Sequence, residues 1–356
     1  YLNTDIYVAK IDSDGNWEWA RSAGGSGYDK GQALTVGGND EIYVGGIFTG
    51  RAYFGTDSVN TEGLQDGFVA KINSLGTWQW AKNCGGSSTD DLYSLAVDAS
   101  GNVYATGYFR NTAKFGLNAI LSSGNKDIYA AQINPSGVWQ WASKAGNSGD
   151  DIGYGITVDD AGNIYVAGSF ENTVTINADV LVSAGKSDAV IARISDTGAW
   201  KWGLRAGGTG NDIGKSVTGK NNGIIAAGTF QDIADINSVN YFSQGSSDIF
   251  TAEIDSSKSW NSTKTAGSSS LDDVYQIEYN STGGIYTCGY TYSDFNFGVN
   301  TINAKGNSDG FLLRQYSSGS WVWGKIIGGT LDYSQVNKIT SRNHDKYIIG
   351  TFYGSI

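Results

Sequence analysis

One phrase is repeated along the whole chain. Asp66-Gly67-Phe68-Val69-Ala70-Lys71-Ile72 recurs as Asp5-Ile6-Tyr7-Val8-Ala9-Lys10-Ile11 and as Asp127-Ile128-Tyr129-Ala130-Ala131-Gln132-Ile133. Weaker copies start at Asp188, Asp248 and Asp309, so the spacings are 61, 61, 61, 60 and 61 residues. Twelve residues after each Asp stands a Trp: Trp17, Trp78, Trp139, Trp200, Trp260 and Trp321. Five of these are followed two places later by another, at Trp19, Trp80, Trp141, Trp202 and Trp323, while Ser262 holds the sixth place. A period this strict overrides the two-domain expectation that 356 residues would raise.

Each unit reads as four short strands. Leu95–Val97, Asn102–Gly107, Asp66–Ile72 and Trp78–Lys82 illustrate the four, rich in β-branched and aromatic residues and bounded by Gly, Asn, Asp and Ser. The turns Asp98-Ala99-Ser100-Gly101-Asn102 and Asn134-Pro135-Ser136-Gly137 carry a late glycine, which suits a tight turn ending at positive φ. Six such units predict an all-β fold, a six-bladed β-propeller of four-stranded blades. A β-solenoid is the competitor, but its rungs are usually shorter. The chain starts at a third strand and ends after a second, Tyr347-Ile348-Ile349-Gly350. The expectation is therefore a ring closed by N-terminal outer strands pairing with C-terminal inner strands. Its composite blade would combine 338–356 with 1–21. Continuous blades would span about 32–82, 93–143, 154–204, 215–264 and 276–325, within one domain, 1–356.

The residues Gly-Asn-Val-Tyr-Ala-Thr-Gly-Tyr-Phe at 101–109, Phe115-Gly116, Gly124 with Asp127, Ile133-Asn134-Pro135-Ser136-Gly137 and Trp139 form one block. This block resembles the bacterial β-propeller repeat called SBBP, and the resemblance covers essentially the full chain. The family name implies seven blades, whereas six are supplied here. The resemblance implies an exported or surface protein of a bacterium, often a large one with a C-terminal sorting domain. No sorting domain is visible in this sequence.

Composition narrows the function. Against 24 Lys+Arg stand 35 Asp+Glu, a net charge of −11, which repels phosphate backbones and argues against nucleic acid as partner. The 51 glycines beside a single proline, Pro135, fit neither long helices nor collagen. Hydrophobic residues at 40% supply a core, yet no apolar run reaches the roughly 18 residues of a membrane span. Met is absent, even at the first position, as expected of a processed chain.

Two sets of aspartates repeat with the fold. One opens each third strand. The other comprises Asp29, Asp90, Asp151, Asp212, Asp272 and, after a one-residue deletion, Asp332, each behind a Gly-rich stretch. On one face of a propeller these twelve carboxylates would form a negative funnel or a Ca²⁺ site. The alternative is that each accepts hydrogen bonds from loop amides. The Trp-x-Trp pairs could present a sugar-stacking ladder or pack between neighbouring blades.

Catalytic constellations are poor. His344 is the only histidine, and no nucleophile elbow supports it. Cys84 and Cys288 sit in distant units and read as small buried hydrophobes. The segments between second and third strands vary most: 51–62, 110–123, 171–184, 231–244 and 293–305. Among them Tyr241-Phe242 is the best guess for an exposed anchor, with coverage of its own blade's edge as the alternative. The expectation is a non-enzymatic binding or scaffold module, monomeric, without a cofactor. It would work on the outer surface of a bacterium and engage another envelope protein or a glycan. A lectin-like propeller is the first rival and a hydrolase the second.

Overall fold

The computed structural model describes residues 4–280, 284–330, 333–342 and 345–353. The described residues are strands and turns, apart from one 3-10 turn at Gly38–Asp40. The chain divides into two compact units, Tyr1–Thr157 with Ser195–Ala199, and Val158–Ile194 with Trp200–Ile356.

In the first unit, Lys30–Val36, Ile42–Phe48, Asp66–Ile72 and Trp78–Gly86 form one antiparallel blade. Asp91–Val97, Val103–Phe109, Asp127–Ile133 and Trp139–Ala145 form the next. Ile6–Ile11 pairs with Trp17–Gly25. The second unit holds Ile164–Phe170, Asp188–Ile194 and Trp200–Gly208. It also holds the full blades Ile213–Gly219 to Trp260–Gly267 and Asp272–Asn280 to Trp321–Ile327, and the pair Tyr333–Arg342 with Asp345–Tyr353.

Burial follows position in the sheet. Val103–Phe109 and Asp127–Ile133 are buried at every residue because both faces and both edges are covered. The turn predictions hold. Gly101 has φ +82° and Gly137 φ +78°. The Asp98 carboxylate accepts the Ser100 and Asn102 amides, and Asn134 Oδ1 accepts those of Ser136 and Val138.

Some of the sheets are larger than four strands. The variable segments fold into hairpins that leave their own blade. Thr112–Phe115, paired with Asn118–Leu121, adds to Trp78–Gly86 of the preceding repeat. Arg51–Phe54 adds likewise to Trp17–Gly25, Ile233–Ile236 to Trp200–Gly208 and Phe295–Phe297 to Trp260–Gly267. The result is three six-stranded sheets beside three four-stranded ones, four being the number expected. A hairpin docked this way covers an outer edge that would otherwise be free to pair with another chain.

The tryptophans explain the docking. Trp78 Nε1 donates backward to the Ser22 carbonyl at 3.3 Å, and Trp80 Nε1 forward to the Pro135 carbonyl at 3.1 Å. Trp139 and Trp141 repeat this with Asn83 and Asp196. The first ring of the pair also lies edge-on to the hairpin aromatic, Phe54 against Trp78 and Phe115 against Trp139. Packing between neighbouring repeats is thus the role of these pairs.

The terminal strands differ. Asp345–Tyr353 is exposed nearly throughout, whereas its repeat-mates Ile42–Phe48 and Ile164–Phe170 are wholly buried. Its expected ladder with Ile6–Ile11 is not among the strand pairs of the described residues.

The docking strand passes so close that only glycine fits beneath it. A Cβ on Gly86 would lie 1.7 Å from the Thr112 carbonyl oxygen, and one on Gly208 1.7 Å from that of Ile233. Gly86→Ala and Gly208→Ala should each lower stability by about 1–3 kcal/mol in urea titrations, as overpacking does. Gly50→Ala, with open space around it, should cost only the strain of its φ of +72°.

Candidate functional site

The predicted aspartates fold into pairs. Asp29, Asp90, Asp151, Asp212 and Asp272 are at most 1% exposed, and Asp332 lies outside the described residues. Each closes its own loop. Asp29 accepts the Gly25 amide at 2.7 Å, Asp90 that of Gly86 at 2.6 Å and Asp151 that of Asn147 at 2.8 Å. Asp212 and Asp272 take those of Gly208 and Ser268, both at 2.6 Å. Asp90 and Asp212 also accept the amides of Arg110 and Gln231, which ties the loop to the end of the second strand.

The aspartates that open the third strands stand beside them. A Cβ on Gly146 would meet Asp127 at 2.6 Å and Asp151 at 2.8 Å, and one on Gly207 would meet Asp188 and Asp212 likewise. Gly-rich stretches therefore leave room for two carboxylates, and they bury them. Groups this enclosed present little carboxylate to solvent, Asp5 being the exposed one of the described set. Among the described residues no three His, Cys, Asp or Glu are grouped to hold a metal ion.

Burial dominates the electrostatics. It pushes Asp66, Asp212 and Asp248 up to about 7, and Asp90 and Asp272 to about 6, against the opposing pull of the loop amides. Two pairs have a counter-charge. Arg205 reaches Asp188 at 2.7 Å and Lys144 reaches Asp127 at 3.2 Å.

Tyr241 and Phe242 part company, as neighbours on a strand must. Tyr241 is half-buried and Phe242 is 68% exposed. Their hairpin covers the edge of the preceding repeat, not of their own. Tyr241, Trp260, Asn237, Asn261 and Ser262 line a small cleft of about 80 Å³, where Ser262 replaces the second Trp. Both cysteines are free and buried, as expected. His344 lies outside the described residues.

A tyrosine set escaped the sequence reading. Tyr93 and Tyr154 hold the same place on first strands, three residues after Asp90 and Asp151, with ring centroids 5.4 Å apart. Tyr108 joins at 6.1 Å with Lys126 over its face, and Lys126 pairs with Asp150 at 2.7 Å. In the second unit Tyr275 holds that place, 5.5 Å from Tyr290, which contacts Tyr292. The Tyr275 hydroxyl donates to Gln335 at 3.0 Å, and Lys215 pairs with Asp273 beside it. Recurrence at one offset was the signal that could have found them.

Residues 128–169 match the family profile described as SBBP, beta-propeller repeat. This segment carries a β-propeller repeat. The chain is 23% identical over 255 residues to an uncharacterized WD repeat-containing protein of Acanthamoeba polyphaga mimivirus, covering 60% of this chain and 18% of that one. It is 24% identical over 209 residues to the regulatory protein FlaEY of Caulobacter vibrioides, covering 56% and 21%. The chain thus spans about a fifth of the length of these curated relatives. Among solved structures, the Pan2 WD40 domain of Neurospora crassa aligns at TM-score 0.41 and 11% identity, covering 84% of this chain and 66% of that one. An endo-arabinanase of family GH43 from Bacillus licheniformis aligns at 0.34 and 11%, covering 82% and 96%. No described helix is long and apolar enough to cross a membrane.

Removing the counter-charge from a buried aspartate should be costly. Arg205→Leu should destabilise by about 3 kcal/mol, at the low end for a broken buried pair because the guanidinium is partly exposed. Lys264→Leu, which lacks such a partner, should change the urea midpoint little.

Proposed function

We propose that the chain is a non-enzymatic binding or scaffold module, a six-bladed ring that holds another protein at the outer surface of a bacterium without a cofactor. β-propeller repeats suggest protein interaction. The observation that carries the reading is the pair of tyrosine clusters. Rigid, partly exposed tyrosines with fixed hydroxyls, flanked by Lys126 and Asp150 or Lys215 and Asp273, have the composition of interaction hot spots. Their rings pack against one another, which limits the ordering cost of binding.

The test is affinity capture from the native envelope with quantitative mass spectrometry. Wild-type chain should enrich a defined protein that Tyr93→Ala/Tyr275→Ala fails to enrich, while Leu117→Ser, at a fully exposed site, still does. Equal recovery by all three would overturn the reading. The rival, glycan binding, is favoured by the Trp260 and Tyr241 cleft with its flanking amides. Sugar titration should then alter tryptophan fluorescence in wild type but not in Trp260→Phe.

Ring closure belongs to the same proposal. Exposure of Asp345–Tyr353 and the half-open Ile6–Ile11 are what two halves of one blade would show if each lacked the other. Removing residues 1–21 should then cost several kcal/mol, on the scale of lost buried aromatics. Leu117→Ser, at a fully exposed site, should cost much less. A chain without residues 1–21 that melts cooperatively at the full-length temperature would reopen the solenoid reading.

A further inference from the structure

The repeats solve one electrostatic problem in two ways. Lys144 and Arg205 both stand 17 residues after the aspartate they neutralise, opposite the residue two places beyond it: Tyr129 against Lys144, Val190 against Arg205. In that same register Asn83 faces Phe68 and Thr265 faces Phe250. These repeats bring no cation to the place. There Asp66 is fully buried and Asp248 is 1% exposed, and the Oδ1 atom of each is enclosed without a hydrogen-bond partner. Their Oδ2 atoms accept the Glu62 amide at 2.7 Å and the Gln244 amide at 3.1 Å.

The charges around each site are of the wrong sign to compensate it. Asp66 is faced by Asp90 and Glu62, with the Cys84 thiol beside it. Lys114, on the adjoining hairpin strand, is engaged by Glu62 at 2.6 Å. Arg110 acts on Asp90 rather than on Asp66. Asp248 is faced by Asp272, and the hairpin beside it contributes only Asn296, bonded to Gln244. A buried carboxylate with no cation and a second carboxylate next to it cannot stay ionised cheaply.

We propose that Asp66 and Asp248 are proton-binding sites, in which a proton takes the place that Lys144 and Arg205 fill in the sister repeats. Protonated Oδ1 becomes a donor instead of an orphaned acceptor. Asp309 repeats the geometry, with Ile326 facing Phe311 in that register and its own Oδ1 enclosed without a partner.

The sign follows from linkage. Burial raises both groups to about 7 in the folded state, well above the ordinary 3.8. Their contribution to stability is full below about 4, falls as pH rises and is gone above about 7. Across that window the unfolding constant should rise by up to about tenfold per pH unit for each carboxyl. The experiment is a set of urea midpoints from pH 5 to 8.5 on the full chain. Wild type should weaken towards pH 7 and then level off. Asp66→Asn/Asp248→Asn, which keeps an acceptor and supplies a neutral donor, should show a shallower slope and the higher midpoint at pH 8. A second variant, Asn83→Lys/Thr265→Arg, should likewise gain stability at pH 8 by supplying the missing cation. If the wild-type and Asp→Asn profiles run parallel, the proposal is wrong. If KCl or CaCl₂, compared with choline chloride at equal ionic strength, raises the pH 8 midpoint of wild type alone, a metal ion rather than a proton fills the place and the proposal is overturned.

Discussion

The contact on which the structure depends is the hold that each repeat takes on its neighbours through Trp-x-Trp. One indole donates to the repeat before and the next to the repeat after, as at Trp78 and Trp80. Burial supplies most of the energy. An aromatic of this size hides roughly 200 Å², worth about 5 kcal/mol, against about 1 kcal/mol for its hydrogen bond. The bond contributes direction. It aims the ring at one carbonyl in a tight turn, where a Cβ on Gly137 would come within 2.9 Å of the indole. A four-stranded blade alone would expose one face, so this contact turns weak sheets into a stack whose stability grows from neighbour terms.

That hold explains two other repeated features. The hairpin from the next repeat lies over the preceding outer strand, where its aromatic meets the first indole, and at two of these docks a carbonyl comes so close that no Cβ fits. The second glycine of Gly85-Gly86 and Gly207-Gly208 answers that need, while the first makes room for the carboxylate pair. The aspartates then satisfy the amides of a loop too glycine-rich to hold its own shape. Burying so many carboxylates is costly. The chain accepts that cost because loose loops would let the outer strand and its indoles drift.

Most of the architecture was legible because it repeats. Four strands per unit, turn glycines and the packing role of the tryptophans all follow from residues recurring in step. What stayed hidden depended on contacts between repeats. Ala113-Lys114-Phe115-Gly116 reads as a hairpin, but nothing local says that it joins Trp78–Gly86 rather than its own blade. The paired aspartates look like a surface ring because charge normally marks exposure. Only the fold brings Asp127 beside Asp151, 24 residues away in sequence, and encloses both. Tyr93, Tyr154 and Tyr275 were missed because tyrosine is common in strands and the eye stops at tryptophan.

A repeat protein states its structural rules many times, so departures from them carry the information. Ser262 breaks the tryptophan rule, and the turn at Gly319 meets its hydroxyl where the other repeats bring an indole. Lys144 and Arg205 are departures of the opposite kind, cations added where the other described repeats have Ser22, Asn83, Thr265 and Ile326. Each added cation reaches the buried aspartate of its own repeat. Physical constraint on such a chain therefore acts at two levels. The common pattern is held by packing, since a change at one repeat loosens two neighbours. Individual positions remain free to vary only where the packing already tolerates either choice, and there a repeat can acquire a charge, a cleft or a proton of its own.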